Sequence, residues 1–451
     1  MEVPERPVQL PSWSWSYVAF RFGDGLSSAV IPLTVVLHYN MPLWALALAT
    51  AAQNLAAVPA TFVWAAIMDR GIRRRPIVVT GFAVASLAMI LMAALPPFPI
   101  FVGLAMAYTV FGSATAPAAS TLVLQRVSRA MWGRTTAALS RRTGFAYLSG
   151  LALSILIALG PDVWQRMGRL GVWLLGHDLV GGPHFGNVFA ITAAAGALAA
   201  IVASRLIPPY QPPLPHEMPF DAGLIQAGQR RFERAVFFPS RLRNSPTVQG
   251  VVQALSGPGR LWPVGYLLTF TGSVCFFASY PGVLAGHLAL PAALVLVAQA
   301  PSNIVTPITY PWAGRLGARL GEAVGILEGS ILRTITLPLL CITVAFVGVP
   351  GYAILLMLHA MMGLSFSLLQ VNGPVLLADI HPGGRGAGVG TYHAAIGAGT
   401  LLGSLSAFAI LRVADFRWSY VFAVAVAVSG MLVLLAADRQ TRAARKASPI
   451  T

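Results

Sequence analysis

Runs of about twenty apolar residues recur from one end of this chain to the other, each long enough to cross a hydrocarbon core about 30 Å thick as a helix. That repetition limits the fold more than any motif does. In lipid every backbone N–H and C=O must find its partner inside the protein, so such runs become helices and not irregular chain. The composition agrees: 56% of the residues are hydrophobic and 10% are charged, against about 25% charged in soluble domains. No polar stretch is longer than Ile207 to Arg260, which leaves no room for a large soluble catalytic domain.

Twelve spans are expected. The first six run Ser14–Leu37, Leu43–Met68, Pro76–Leu95, Pro99–Leu124, Ala137–Leu159 and Asn187–Leu206; the second six run Leu261–His287, Pro291–Ala313, Gly321–Phe346, Pro350–Ala378, Gly388–Leu411 and Trp418–Ala437. The chain is thus predicted to be an all-α polytopic membrane protein, with one six-helix half over 1–206 and a second over 261–451 that ends in a basic tail. A proline-rich, then basic, cytoplasmic linker over 207–260 joins them. Cys275 and Cys341 fall inside apolar runs and read as buried small hydrophobes. The N-terminus lacks the ordered basic, apolar and cleavage segments of a secretory signal, so its first apolar run is expected to stay as a helix.

A net charge of +16 would suggest nucleic acid in a soluble protein. Here it reflects the collection of basic residues on one side of a membrane. With the N-terminus inside, 24 basic residues lie in cytoplasmic segments, four lie in external loops and two, Arg21 and Arg333, lie within spans. That bias predicts a multi-pass protein of the cell membrane with both termini cytoplasmic.

The halves repeat. Gly133, Gly144, Leu148 and Gly150 match Gly386, Gly397, Leu401 and Gly403 at a constant spacing of 253. A basic turn after the second span is matched after the eighth by Gly314-Arg315-Leu316-Gly317-Ala318-Arg319. Two segments depart from the pattern. Asp162–Gly186 is a long external connection with the composition of an interfacial helix, and Gln229–Leu242 mixes arginine with phenylalanine as a helix on an anionic leaflet does.

The turn after the second span is Trp64-Ala65-Ala66-Ile67-Met68-Asp69-Arg70-Gly71-Ile72-Arg73-Arg74-Arg75. With twelve repeated spans and a long central loop, it resembles the signature of the major facilitator superfamily. Asp69, Arg70, Arg73 and Arg74 match, while Ala65 and Ile72 stand where the family has glycine. The resemblance implies transport by alternating access, with Asp69 as a conformational latch near the start of helix eleven, at Gly386–Gly388. A carboxylate beside a helix N-terminus gains roughly 0.3–1 kcal/mol. Gly314 takes the Asp position in the second half, and helix five has Gly144 to Gly150 without the proline of the antiporter signature.

Ionisable residues within spans are candidates for function. Arg21 and Asp24 share one face of helix one. On the family pattern Arg21 would hold an anionic group and Asp24 a coupling proton; the alternative is a self-satisfied ion pair. Gln299 and Asn303 share a face of helix eight, and with Gln370 and Asn372 of helix ten they would form a polar midplane site. Gln53, Asn54, Tyr266 and Tyr280 add polar points, and His359 and His393 could exchange protons. Glu328 and Arg333 read as a structural pair, Arg141 and Arg142 as snorkelling to the interface, and Asp379 as interfacial. Lys446 is the single lysine, so there is no P-loop, and neither His-Glu-x-x-His nor Gly-x-Ser-x-Gly occurs.

No enzyme, cofactor or metal site is expected. The predicted function is secondary active transport of a small solute, coupled to a proton gradient. A facilitative uniporter or a non-transporting receptor on the same fold are the alternatives. The expected partners are the lipid bilayer, a small-molecule substrate and protons, with no nucleic acid, and the chain is expected to be a monomer.

Overall fold

The computed structural model describes residues 10–69, 74–115, 122, 132–159, 185–208, 259–347, 349–380 and 385–447. These form twelve helices: α1 (Ser14–His38), α2 (Leu43–Asp69), α3 (Arg74–Ala93), α4 (Phe98–Gly112), α5 (Trp132–Ala158), α6 (Phe185–Leu206), α7 (Leu261–His287), α8 (Ala292–Leu320), α9 (Glu322–Ile342), α10 (Tyr352–Ile380), α11 (Arg385–Val413) and α12 (Phe416–Ala447). Ten are long and apolar enough to cross a membrane. The other two are α4, with fifteen described residues, and α5, whose first half carries Arg134, Arg141 and Arg142. The expected linker and both irregular segments lie outside the described residues, apart from a few at their edges. So do Arg70 and Arg73, and nothing is described of the side chains of Asp69 and Arg74.

Helix ends follow charge and glycine more than hydropathy. α8 continues seven residues past the predicted Ala313 and stops at Gly321, whose φ of +95° a side chain would resist. The expected basic turn at Gly314–Arg319 is therefore helix, because arginine is a good helix former once its head reaches water. α12 likewise runs ten residues past Ala437, with Asp438 and Arg442 paired at 2.8 Å one turn apart.

Packing repeats between the halves. α1 lies on α5 and α6, α3 on α4 and α6, and α2 on α4; α7 lies on α11 and α12, α9 on α10 and α12, and α8 on α10. The repeat extends to single atoms. Gly150 is pressed against the α1 backbone at Phe22 and Leu26, and Gly403 against the α7 backbone at Thr271 and Cys275. These partners are 249 apart in both cases. Across the seam α5 meets α8 and α11 meets α2. A Cβ on Gly144 would lie 2.9 Å from Pro307, and one on Gly397 would lie 3.2 Å from Val58, again 249 apart.

The same register appears in α1 and α7. Each is interrupted after its first half, restarts, and ends in a wide turn of π-helix, at Thr34–His38 and Val283–His287. Tyr39 N–H donates to Thr34 O and Leu288 N–H to Val283 O, both at 3.1 Å, and each turn is followed by a left-handed residue, Asn40 or Ala289. Pro32, His38 and Pro42 therefore correspond to Pro281, His287 and Pro291. Carried through α2 and α8, this register sets Asp69 opposite Ala318 and not the expected Gly314; neither partner is acidic.

Aliphatic side chains are exposed on the outside of the bundle, among them Leu87, Ile90 and Leu91 on α3, Ile331 and Ile335 on α9, and Val421 on α12. A surface of that kind belongs in lipid. Arg333 of α9 is buried instead. It donates from Nε to Ser365 Oγ at 3.1 Å and from Nη1 to Ser273 Oγ at 3.2 Å, and its guanidinium lies over Phe270 and Phe366. Each serine sends its own hydrogen to a backbone carbonyl, which leaves its lone pairs for the guanidinium. Glu328, its expected partner, is exposed. Five residues along a helix is about 140° around it, so the two face apart. Arg142 also departs from expectation: it donates to Ser14 Oγ at 3.0 Å and covers the Trp15 ring, tying α5 to the start of α1. Cys275 and Cys341 are buried and free.

Two stability outcomes follow. Gly403→Val must push α11 off the α7 backbone and is expected to destabilise the fold by about 1–3 kcal/mol, whereas Gly103→Ala, with nothing within 4 Å, is neutral; thermal melts in detergent compare them. Removing both Arg333 acceptors, Ser273→Ala with Ser365→Ala, is expected to lower the melting temperature, at about 1.5–3 kcal/mol per lost charged bond. Arg333→Met removes the buried charge itself and is expected to be tolerated.

Candidate functional site

A cavity of about 330 Å³ lies between the halves, near mid-bundle. One half supplies Ser28 and Pro32 from α1, Thr50 from α2 and Tyr147 from α5. The other supplies Phe277, Tyr280 and Pro281 from α7, Gln299 and Asn303 from α8, and His359 from α10. The local reason is the break in α1 and α7: where the helix is interrupted, at Ser28–Ala29 and at Ala278–Ser279, small side chains leave room that a continuous bulky face would fill.

Away from the basic turn, the two halves close on each other. Gly282 lies against Val36, Leu43 and Leu46, the Trp44 and Phe408 rings are 6.4 Å apart, and Arg412 sits over Trp44. Asn54 bridges the seam, donating to Thr400 O at 3.4 Å and to Ser404 Oγ at 3.2 Å.

Arg21 and Asp24 lie next to the cavity, one to two turns nearer the Asp69 end. They form an ion pair, and Asp24 also accepts from Tyr108 Oη at 3.0 Å. The Arg21 guanidinium lies 5.0 Å from the centre of the Tyr147 ring, and Tyr147 Oη is 2.5 Å from Ser28 Oγ at the cavity wall. The network thus joins a carboxylate, a cation and two phenols, all from the first half. Arg21 is 44% exposed, so its charge is not sealed in the packed core.

The other expected polar residues separate. Gln299 and Asn303 do line the cavity, with Asn303 Nδ2 donating to Gln299 O at 3.0 Å. Gln370 accepts from Tyr392 Oη at 2.9 Å, which ties α10 to α11. Asn372 points into the junction of α8, α9 and α10, packed on Gly317 and Gly325 and donating to Leu368 O at 2.9 Å. Tyr266 is buried edge-on to Tyr392, and His393 is exposed beside the same ring. Gln53 turns back to Ala49 O in its own helix. His359 is buried, with Nε2 2.7 Å from Tyr280 Oη. That pairing links residues 79 apart in sequence, and spacing along one helix could not have shown it. Among the described residues no group of His, Cys, Asp or Glu is arranged to hold a metal.

Comparison with known proteins bears on this arrangement. A profile of the Major Facilitator Superfamily matches residues 13–324. No curated protein sequence matches the chain. Among solved structures, a bacterial homologue of the human lysosomal transporter Spinster, in an inward-facing and unoccupied conformation, superposes with a TM-score of 0.67 at 13% identity, covering 95% of this chain and 96% of that one. A variant of the nucleoside transporter NupG gives 0.66 at 11% identity, covering 94% and 98%. A POT family transporter in complex with 5-aminolevulinic acid gives 0.64 at 13%, covering 96% and 99%. At these identities the likeness is one of fold. The profile covers more than half of the residues, and this chain belongs to the major facilitator superfamily.

Proposed function

We propose that the protein is a secondary active transporter that moves a small solute across the cell membrane by alternating access, driven by a proton gradient. The observation that carries this reading is a cavity walled by both halves, with polar groups contributed from each side. A site shared in this way changes access when one half rocks against the other, and the α2–α11 and α5–α8 contacts are the surfaces on which such rocking turns. The moving units are residues 1–206 and 261–451, joined by the 207–260 linker, with both termini and the linker on the cytoplasmic side where basic residues collect.

Asp24 is the proton site of this scheme. As a carboxylate it holds Arg21; once protonated it leaves that cation without its partner charge. Arg21 then interacts with the ring of Tyr147, which lines the cavity, so a proton taken up by α1 alters the balance at the cavity wall. Asp69, at the end of α2, latches the cytoplasmic ends while the outer side is open, at the start of α11.

Flux in proteoliposomes tests both parts, with substrates first found by thermal shift of the purified protein. Asp24→Asn is expected to abolish uptake driven by a pH step while counterflow exchange persists; unchanged pH-driven uptake overturns the coupling. Asp69→Asn is expected to slow transport severalfold at normal folded yield, and full flux in that variant overturns the latch.

A further inference from the structure

Two residues that line the cavity each carry a side-chain nitrogen with no hydrogen-bond partner among the described residues. These are Gln299 Nε2 and His359 Nδ1, both buried. They also stand at one depth. α8 and α10 run side by side in the same direction, locked where Gly363 meets Ser302 and Thr306 Oγ1 donates to Gly363 O at 3.1 Å. Gln299 is three residues before Ser302 and His359 four before Gly363, so each lies one turn from the lock. A buried polar group without a partner is costly, and two at one level of a cavity wall mark a place where a ligand supplies what is missing.

Their chemistry can be assigned. Among the described residues His359 Nε2 is the only hydrogen-bond partner of the Tyr280 hydroxyl. In the tautomer that carries the ring proton on Nδ1, Nε2 accepts the Tyr280 hydroxyl hydrogen, and we take this tautomer for the neutral ring. Both orphan groups are then N–H donors, and the ligand must present acceptor oxygen. Among the described residues no lysine, arginine, aspartate or glutamate lines the cavity, and while Asp24 is a carboxylate the nearest charges, Arg21 and Asp24, are paired with each other. A charged ligand would lose its hydration and gain no countercharge. Around these donors Pro32, Val274, Phe277 and Pro281 form an apolar surface. The volume, about 330 Å³, suits a compact ring solute and not a peptide or lipid.

We infer that the cavity binds an uncharged solute with a flat apolar face and a carbonyl-type oxygen, held by Gln299 Nε2 and His359 Nδ1. That this solute is the cargo rests on the transport reading of the same cavity.

The test uses matched probes on the full chain in detergent: nicotinamide against nicotinate, benzamide against benzoate, and benzamidine as the cation. The amides are expected to raise the melting temperature, while the carboxylates and benzamidine leave it in place. Gln299→Met and His359→Phe are each expected to weaken amide binding about tenfold; Gln299→Met decides alone should His359→Phe not fold. Absence of any amide shift, equal shifts with a carboxylate or benzamidine, or an amide shift untouched by Gln299→Met would each overturn the inference. Counterflow of labelled nicotinamide and nicotinate separates the two readings. Nicotinamide binding without its counterflow removes the transport role and leaves the site. Nicotinate counterflow without amide binding removes the substrate class and leaves transport.

Discussion

A helix bundle in lipid gains little by pressing apolar side chains together, because the acyl chains outside are as apolar as the leucines within. Its parts are joined by shape and by the few hydrogen bonds that cross between them. In this protein the shape is set where Gly144 meets Pro307 and Gly397 meets Val58, and a crossing hydrogen bond is made by Asn54. The two glycine contacts are one contact made twice, since both the glycines and their partners are equivalent in the repeat. The cavity depends on this arrangement. A seam built at two flanking lines leaves the middle free, and the interrupted helices α1 and α7 fill that middle only in part.

The repeated wide turns belong to the same logic. A π-turn at a helix end widens the last turn by one residue, and the left-handed Asn40 or Ala289 after it reverses the chain sharply into the next helix. This lets α1 and α7 approach each other at the end away from the basic turn while α2 and α8 start close beside them. Gly282, the last residue before the second turn, packs directly on Val36 of the first turn and on Leu43 and Leu46 of α2. The closure at that end is therefore built from the repeat itself and needs no added segment.

Much of this was legible in the residues. Apolar length gave all twelve helices, because in lipid there is no alternative for such a run, and the beginning of α1 and both ends of α7 agree to the residue apart from His38. The ends of α8 and α12 were not legible from hydropathy, since helices continue into water wherever charged residues can solvate the turn. The repeat is visible through glycines at 253, whereas Pro32, His38 and Pro42 pair with Pro281, His287 and Pro291 at 249, a second register that the glycine spacing does not lead to. The change of four residues places an insertion after the α8 contact at Pro307 and before Gly397. In the cavity, the four-residue spacing of Gln299 and Asn303 correctly put them on one face. The same reasoning could not tell that Asn372 looks away, because periodicity fixes a face and not the neighbour it meets. His359 and Tyr280 find each other only through tertiary packing.

Where the repeat breaks, the halves have taken different electrostatic solutions. On the 249 register Arg21 corresponds to Phe270 and Asp24 to Ser273, and these two residues of α7 are the ones that receive Arg333 from α9. Both halves therefore place a guanidinium against the same stretch of their first helix, one from within that helix and one from a neighbour. In the first half it meets a carboxylate and is partly exposed; in the second it meets a hydroxyl and an aromatic face and is buried. A hydroxyl cannot take up a proton near neutral pH, whereas a carboxylate can change its charge and with it the balance of its partners. The second half in this respect places a neutral acceptor where the first half has a charged one. The asymmetry thus leaves the ion pair in one half and the unpartnered side-chain nitrogens of Gln299 and His359 in the other.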